Sequence, residues 1–268
     1  MNNSVMKFVK MSATGNDFIL IDNRDRKFSP EKKNFFRKIC QRRLGVGADG
    51  VILLEESDRA DLRYRHINAD GSPAEMCGNG ARSLCYYAVS QKIAPPHLTF
   101  EIEEEIHEAW VSGENVKLRI SPPSMIQDKL GIVTEEGLEE GGFIVLGVPH
   151  LILFTEAIES IDVVCVGRKY SYHPLFENRT NVNFVQKIGT RTIQVRTYER
   201  GVENETLSCG TGSTASAILA HVRKGIPHPV AVRTSGGELK VDWEDIHHSV
   251  FLTGTASIIF EAELKAFL

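Results

Sequence analysis

The tetrapeptide CGNG at Cys77–Gly80 returns as CGTG at Cys209–Gly212, and 209 minus 77 is 132. The same offset lays GNDFILID (Gly15–Asp22) on GVPHLILF (Gly147–Phe154) and ADGVILLE (Ala48–Glu55) on TNVNFVQK (Thr180–Lys187). HLTFEIE from His97 falls within one residue of HPVAVRT from His228, and NVKLRISP from Asn115 meets VFLTG from Val250 at its apolar core. One spacing shared by five segment pairs implies an internal duplication. Each half must then form the same supersecondary unit around its own core. The expected lobes are residues 1–121 and 122–256, divided near SPPS (Ser121–Ser124), where proline interrupts the strand pattern. The tail, about residues 257–268, is expected to return to the first lobe as a strand.

Alternation and β-branched or aromatic residues mark strands at LRYRHIN, LTFEIE, EAWVS, VKLRI, FIVL, TIQVRTYE, VAVRT, ELKVDW and SVFLTG. Gly-containing turns such as SGEN and TSGGE favour antiparallel hairpins over parallel crossovers. One helix follows Gly80, with Ala81, Leu84, Cys85 and Ala88 on one stripe. Another follows Gly212, where STASAILAHVRK is small or apolar nearly all round and therefore reads as buried. Arg223, Lys224, Gly225 and Pro227 mark its end. A third helix is expected from Ser29, with serine as cap and Pro30 at the first helical position. The fold class is α/β of the α+β type: two pseudo-symmetric lobes, each a curved, mainly antiparallel sheet around a central helix, with the active site in the interlobe cleft.

With 31 Lys and Arg against 35 Asp and Glu, the net charge of -4 gives no electrostatic footprint for nucleic acid or an anionic membrane. No stretch reaches the roughly 18 apolar residues of a membrane span, and the start lacks a signal-peptide core, so a cytoplasmic location is expected. Five widely spaced cysteines argue against a disulfide scaffold, and no C-x-x-C or H-E-x-x-H pair suggests zinc. Cys40, Cys85 and Cys165 are expected to be buried and inert.

Cys77 and Cys209 each stand immediately before a helix start. The unpaired N–H groups and partial positive charge there bind carboxylates and favour a thiolate, so both thiols should be acidic relative to the usual value of about 8.5. A thiolate on one face of a stereocentre and a thiol on the other form a base and acid pair able to invert it, and the helix amides would hold the substrate's α-carboxylate. Other arrangements remain open. Either cysteine could be a core residue. Cys77 with His150 could form a nucleophile and base, which would leave Cys209 idle. A phosphate loop has less support, because neither copy carries the Lys-Ser/Thr of the Walker pattern.

SATGNDFILID, GVGADGVILLE, NADGSPAEMCGNG, NVNFV and YERGVENETLSCGTG, in this order and spread from near residue 11 to near residue 215, resemble the signatures of the diaminopimelate epimerase family. The resemblance covers essentially the whole chain. It implies an isomerase that needs no cofactor and no metal, converting L,L-diaminopimelate to the meso form for lysine and peptidoglycan synthesis. It makes Cys77 and Cys209 the acid and base, with Cys77 facing the proton of the L,L isomer. It assigns substrate binding to Asn16, Asn68, Asn181, Glu199 and Arg200 and to the backbone of Gly78, Asn79, Gly210 and Thr211. It assigns tuning of the thiols to His150 and Glu199. The implied partner is a small-molecule substrate, with neither nucleic acid nor membrane, and a homodimer is the assembly considered.

Each assignment has a structural alternative: Asn16 and Asn68 as turn formers, Arg200 as a solvated ion pair, His150 as a packed strand residue. Two departures touch recognition of the substrate's far end. Val148 stands where the family commonly has asparagine, and the segment from Arg200 to Cys209 is one residue longer than usual. A related amino-acid racemase and a single-cysteine transferase or hydrolase are the alternative functions.

Overall fold

A computed structural model describes residues 5–74, 76–134 and 137–265. Glu75, at the head of the first cysteine motif, and residues 266–268 of the tail lie outside the described residues. The chain divides into two compact units, one of residues 1–118 and 254–268, the other of residues 119–253.

The first unit runs β1 (Met6–Ala13), β2 (Asn16–Asp22), α1 (Lys33–Cys40), β3 (Gly50–Glu55), β4 (Leu62–Asn68), α2 (Gly78–Ser90), β5 (His97–Ile102) and β6 (Glu105–Ser112), with β7 (Asn115–Ile120) leading out of it. The second runs β8 (Met125–Thr134), β9 (Gly137–Leu146), β10 (Val148–Phe154), α3 (Val163–Ser171), β11 (Asn181–Lys187), β12 (Thr192–Glu199), β13 (Asn204–Thr206), α4 (Gly210–Lys224), β14 (Val230–Thr234), β15 (Gly237–Asp245) and β16 (Ser249–Thr255). The last strand, β17 (Ser257–Leu264), pairs antiparallel with β1.

The duplication extends to strand pairing. In the first unit β1–β2, β3–β4 and β5–β6 are antiparallel, while β2–β3 and β4–β5 are parallel. In the second, β9–β10, β11–β12 and β14–β15 are antiparallel, while β10–β11 and β12–β14 are parallel. Adding 132 to the bounds of β2 gives residues 148–154, the bounds of β10. In this scheme β17 occupies on β1 the place that β8 occupies on β9. The sheets are thus mainly antiparallel, as expected, but the parallel pairs break the run of hairpins. A parallel pair needs a crossover, and α1, α2, α3 and α4 supply those crossovers.

Helices on both faces of the sheet explain why β3, GVILLE, is buried at every position without alternation. Val51 and Leu53 pack with Phe36 and Ile39 of α1, whereas Ile52 points the other way, against Gly80 of α2. The second unit repeats this with Leu151, Leu153 and Val182 packed on Val163 and Tyr170 of α3. As its composition predicts, α4 is buried without a break from Gly212 to Ala220, and Gly225 closes it in the left-handed conformation at φ 62°.

Two expectations need correction. The helix expected from Ser29 begins at Lys33, because Ser29 and Pro30 open a turn closed by Lys32 N–H on Ser29 O at 3.1 Å. Cys165 is exposed, on the outward face of α3, a helix whose N-cap Asp162 accepts the Cys165 N–H. Cys40 and Cys85 are buried, and burial pushes Cys40 up to about 12 and Cys85 further. Among the described residues no helix is long and apolar enough to cross a membrane.

Candidate active site

Both cysteines occupy the N-cap of a helix in nearly the same backbone conformation. Cys77 has φ -115° and ψ 116° before α2, and Cys209 has φ -121° and ψ 115° before α4. This extended cap turns the chain abruptly into the helix and leaves the first-turn amides, those of Gly78 and Asn79 or of Gly210 and Thr211, directed out of its end. The Cys209 sulfur accepts the Gly212 N–H at 3.4 Å and lies 3.5 Å from Thr211 Oγ1. Both cysteines are half-buried.

The second glycine of each motif is fixed by packing. A Cβ on Gly80 would lie 2.4 Å from the Tyr64 hydroxyl, and one on Gly212 would lie 2.3 Å from Asn183 Oδ1 and 3.3 Å from the Cys209 sulfur. Glycine at these helical positions lets a strand side chain sit directly beneath the cysteine turn.

The first unit brings Asn16 together with the Cys77 turn. Asn79 Nδ2 donates to Asn16 Oδ1 at 2.5 Å, and Asn16 Nδ2 donates to Asp49 Oδ2 at 2.9 Å. Arg42 Nη2 closes the chain on Asp49 Oδ1 at 2.8 Å. Asn68, exposed at the end of β4, donates to Ser72 Oγ at 3.1 Å and Pro73 O at 3.2 Å. Its side chain therefore shapes the NADGS turn in this structure, the role expected of an asparagine beside Ala-Asp-Gly.

The second unit groups His150, Asn181, Glu199 and Arg200. His150 and Asn181 are register partners on β10 and β11, and Asn181 Oδ1 accepts the Arg200 N–H at 2.8 Å. The Arg200 guanidinium donates to Asn178 O at 2.9 Å. Burial, assisted by the Arg200 charge, drives His150 down to about 3, so its imidazole is neutral at physiological pH. Burial raises the Glu199 carboxyl above its ordinary value, with the neighbouring Thr206 hydroxyl acting in the opposite direction.

Asn183 escaped the sequence analysis. Buried among the apolar residues of β11, it accepts from Thr197 Oγ1 at 2.9 Å, donates to Leu151 O at 3.1 Å and approaches His150 Nδ1 at 3.3 Å. The available signal was an asparagine set between Val182 and Phe184 in a strand. Arg82 in the first unit was missed in the same way: it is fully buried on α2.

Comparison with known proteins identifies the family of the chain. The sequence model of the diaminopimelate epimerase family matches residues 8–126 and 142–259. The diaminopimelate epimerase of Aquifex aeolicus is 42% identical over 97% of this chain and 98% of its own length. That of Archaeoglobus fulgidus is 40% identical over 96% of each. Among solved structures, a Bacillus anthracis phenazine biosynthesis protein of the PhzF family superposes with a TM-score of 0.76 at 18% identity, covering 97% of this chain and 99% of the other. A probable proline racemase from Agrobacterium radiobacter gives 0.68 at 14%, covering 97% and 93%. The structural likenesses concern the fold. On the match of sequence over nearly its whole length, this chain belongs to the diaminopimelate epimerase family.

Proposed function

We propose that the protein interconverts L,L- and meso-diaminopimelate by moving one α-proton with two cysteines, supplying meso-diaminopimelate for lysine and peptidoglycan precursors. The observation that carries this reading is the matched build of the two caps: a cysteine at nearly identical dihedrals, a glycine held open by packing, and a buried helix behind each.

In the forward direction the Cys77 thiolate takes the α-proton, and the electron pair moves onto the α-carboxylate. The helix amides stabilise that charge, and the Cys209 thiol gives its proton to the opposite face of the carbon. The product leaves Cys77 as thiol and Cys209 as thiolate, the starting state for the reverse reaction. Protons balance with no redox step. Asn181 and Arg200 hold the substrate's polar ends, and Glu199 receives an ammonium. A guanidinium fork suits the distal carboxylate of a dicarboxylic substrate. Neutral His150 supplies no positive charge at physiological pH, so its influence on the thiols works through the Asn183 side chain that it meets and not through its own charge.

The test is a chiral assay of diaminopimelate isomers beside glutamate, lysine and proline. Interconversion of the L,L and meso forms with little turnover of the others is expected. Preference for one of the others would make the protein a different amino-acid racemase.

A further inference from the structure

Asn183 is fully buried on β11, and its neighbours fix which way its amide points. Nδ2 donates to Leu151 O at 3.1 Å and meets His150 Nδ1 at 3.3 Å, while Oδ1 accepts the Thr197 hydroxyl at 2.9 Å. The Leu151 carbonyl can only accept, so the amide cannot turn over without setting oxygen against oxygen. Oδ1 also lies against the first turn of α4. The position a Cβ would take on Gly212 is 2.3 Å from this oxygen and 3.3 Å from the Cys209 sulfur.

The amide oxygen and the sulfur therefore border one small space over Gly212, which only glycine leaves open. The Gly212 N–H donates to the sulfur at 3.4 Å, and with the helix start it favours a thiolate. An amide oxygen works in the opposite direction. Its negative end repels a thiolate, and it has two lone pairs, of which Thr197 takes one. The forward reaction needs Cys209 to begin as a thiol, and the helix start by itself works against that.

The charged groups on the elements packed around α4 have their own surroundings. His150 on β10 is neutral, and Glu199 at the end of β12 neighbours the Thr206 hydroxyl. Further along β12, Arg196 pairs with Glu205, and the Tyr198 hydroxyl donates to Glu203. On β9, Glu139 takes the Tyr170 hydroxyl and Glu140 pairs with Arg223. Arg233 of β14 pairs with Glu238 of β15, and Asp242 of β15 with His228. Lys240, Glu244 and Asp245 on β15, Asp128 and Lys129 on β8 and Lys187 on β11 are exposed. His221, toward the far end of α4, bonds Ile226 O at 2.8 Å.

We propose that Asn183 is a positioning residue for the epimerase reaction: it holds its carbonyl oxygen against the Cys209 turn, so that Cys209 rests as a thiol with a proton to give. This rests on Cys209 being the acid of the forward reaction. Leu151 O, His150 and Thr197 stand behind the amide and decide which end of it meets the turn. The repeat offset of 132 puts Val51 of β3 in the corresponding place, so an apolar residue of similar size fits this strand position in the first unit.

The test is alkylation by iodoacetamide across pH, resolved at Cys77 and Cys209 by peptide mass. In the unmodified protein, Cys209 should reach half-maximal reactivity above about pH 7, so that it is mainly thiol at neutral pH. Asn183→Val removes the oxygen and should lower that midpoint by about half a unit, roughly a threefold rise in thiolate below it, while Cys77 in the other unit stays in place. Asn183→Asp keeps an oxygen toward the turn and loses the donor to Leu151 O, so its Cys209 midpoint should stay or rise, whereas loss of hydrogen bonding alone would move both variants alike. A Cys209 midpoint that is unmoved, raised or shifted together with Cys77 in folded Asn183→Val overturns the proposal, and so does a lowered one in Asn183→Asp. If neither variant folds, a Cys209 midpoint below about 7 in the unmodified protein still overturns it. Turnover does not enter this measurement, so a failure of epimerisation is read separately.

Discussion

Asn183 donates its side-chain N–H toward His150 Nδ1 at 3.3 Å, which makes Nδ1 the acceptor and leaves the proton of the neutral ring on Nε2. The tautomer follows from the amide's other bonds: the Leu151 carbonyl can only accept, so Nδ2 lies on the side of Leu151 and the ring, and Oδ1 takes the Thr197 hydroxyl.

This pair has a pH signature. His150 falls from an ordinary 6.5 to about 3 in the folded state, so below 6.5 the unfolded chain binds a proton that the native one refuses. Stability should therefore decline as pH falls through this window, by up to about 1.4 kcal/mol per pH unit from this group, levelling off once the folded ring also protonates. Urea titrations at several pH values should show that component in the native sequence and not in His150→Gln. Equal slopes in both would contradict it.

Glu203 anchors the turn after β12, the strand that ends in Glu199. The Gly201 N–H at 2.9 Å, the Tyr198 and Tyr172 hydroxyls at 2.8 Å and Arg179 at 2.6 Å hold its carboxyl down at about 2. That stabilisation is present above the unfolded value of 4.5 and is lost as pH falls toward the folded one. Glu203→Gln should cost roughly 1–2 kcal/mol at neutral pH and raise KM, and its stability deficit should shrink in acid. A deficit independent of pH would mean the charge is not what matters.

Gly80→Ala and Gly212→Ala place a methyl group 2.4 Å from Tyr64 Oη and 2.3 Å from Asn183 Oδ1. Alanine is otherwise the better helix former, so a loss of about 1–3 kcal/mol would measure the clash. Thermal unfolding with kcat for each variant checks this. An unchanged or higher Tm with full activity would show that these contacts relax without consequence.

Val148 is the repeat counterpart of Asn16, an apolar residue where the first unit has an amide. It is partly exposed at the start of β10. If the distal end of the substrate lacks one contact here, Val148→Asn should lower KM for L,L-diaminopimelate roughly fivefold with kcat unchanged, the effect of about one hydrogen bond. Steady-state kinetics decide this, and an unchanged KM would place distal recognition elsewhere.

The positions of Cys77 and Cys209 at helix starts were legible because a cap is a local event, written in four consecutive residues and then repeated. The buried α4 was legible from composition for the same reason. Asn183 and Arg82 were not, since their partners are distant in sequence: Asn183 meets Thr197 and Leu151, and Arg82 meets Thr14. The parallel pairs escaped because strand direction is set by the crossovers, which alternation within a strand does not encode. Ser29-Pro30 and Cys165 misled for the opposite reason. Good capping chemistry also opens turns, and an average tendency to burial says nothing about which face of α3 a cysteine occupies.

The two-cysteine account is tested most directly by reacting L,L-diaminopimelate in deuterated water and measuring the α-positions of product and recovered substrate by mass early in the reaction. With Cys77 removing one proton and Cys209 delivering another, the meso product should carry one deuterium at the inverted carbon while recovered substrate stays largely protiated. Cys77→Ala and Cys209→Ala should each reduce epimerisation by several orders of magnitude. Product that retains its original α-proton, or Cys209→Ala with full activity, would contradict it.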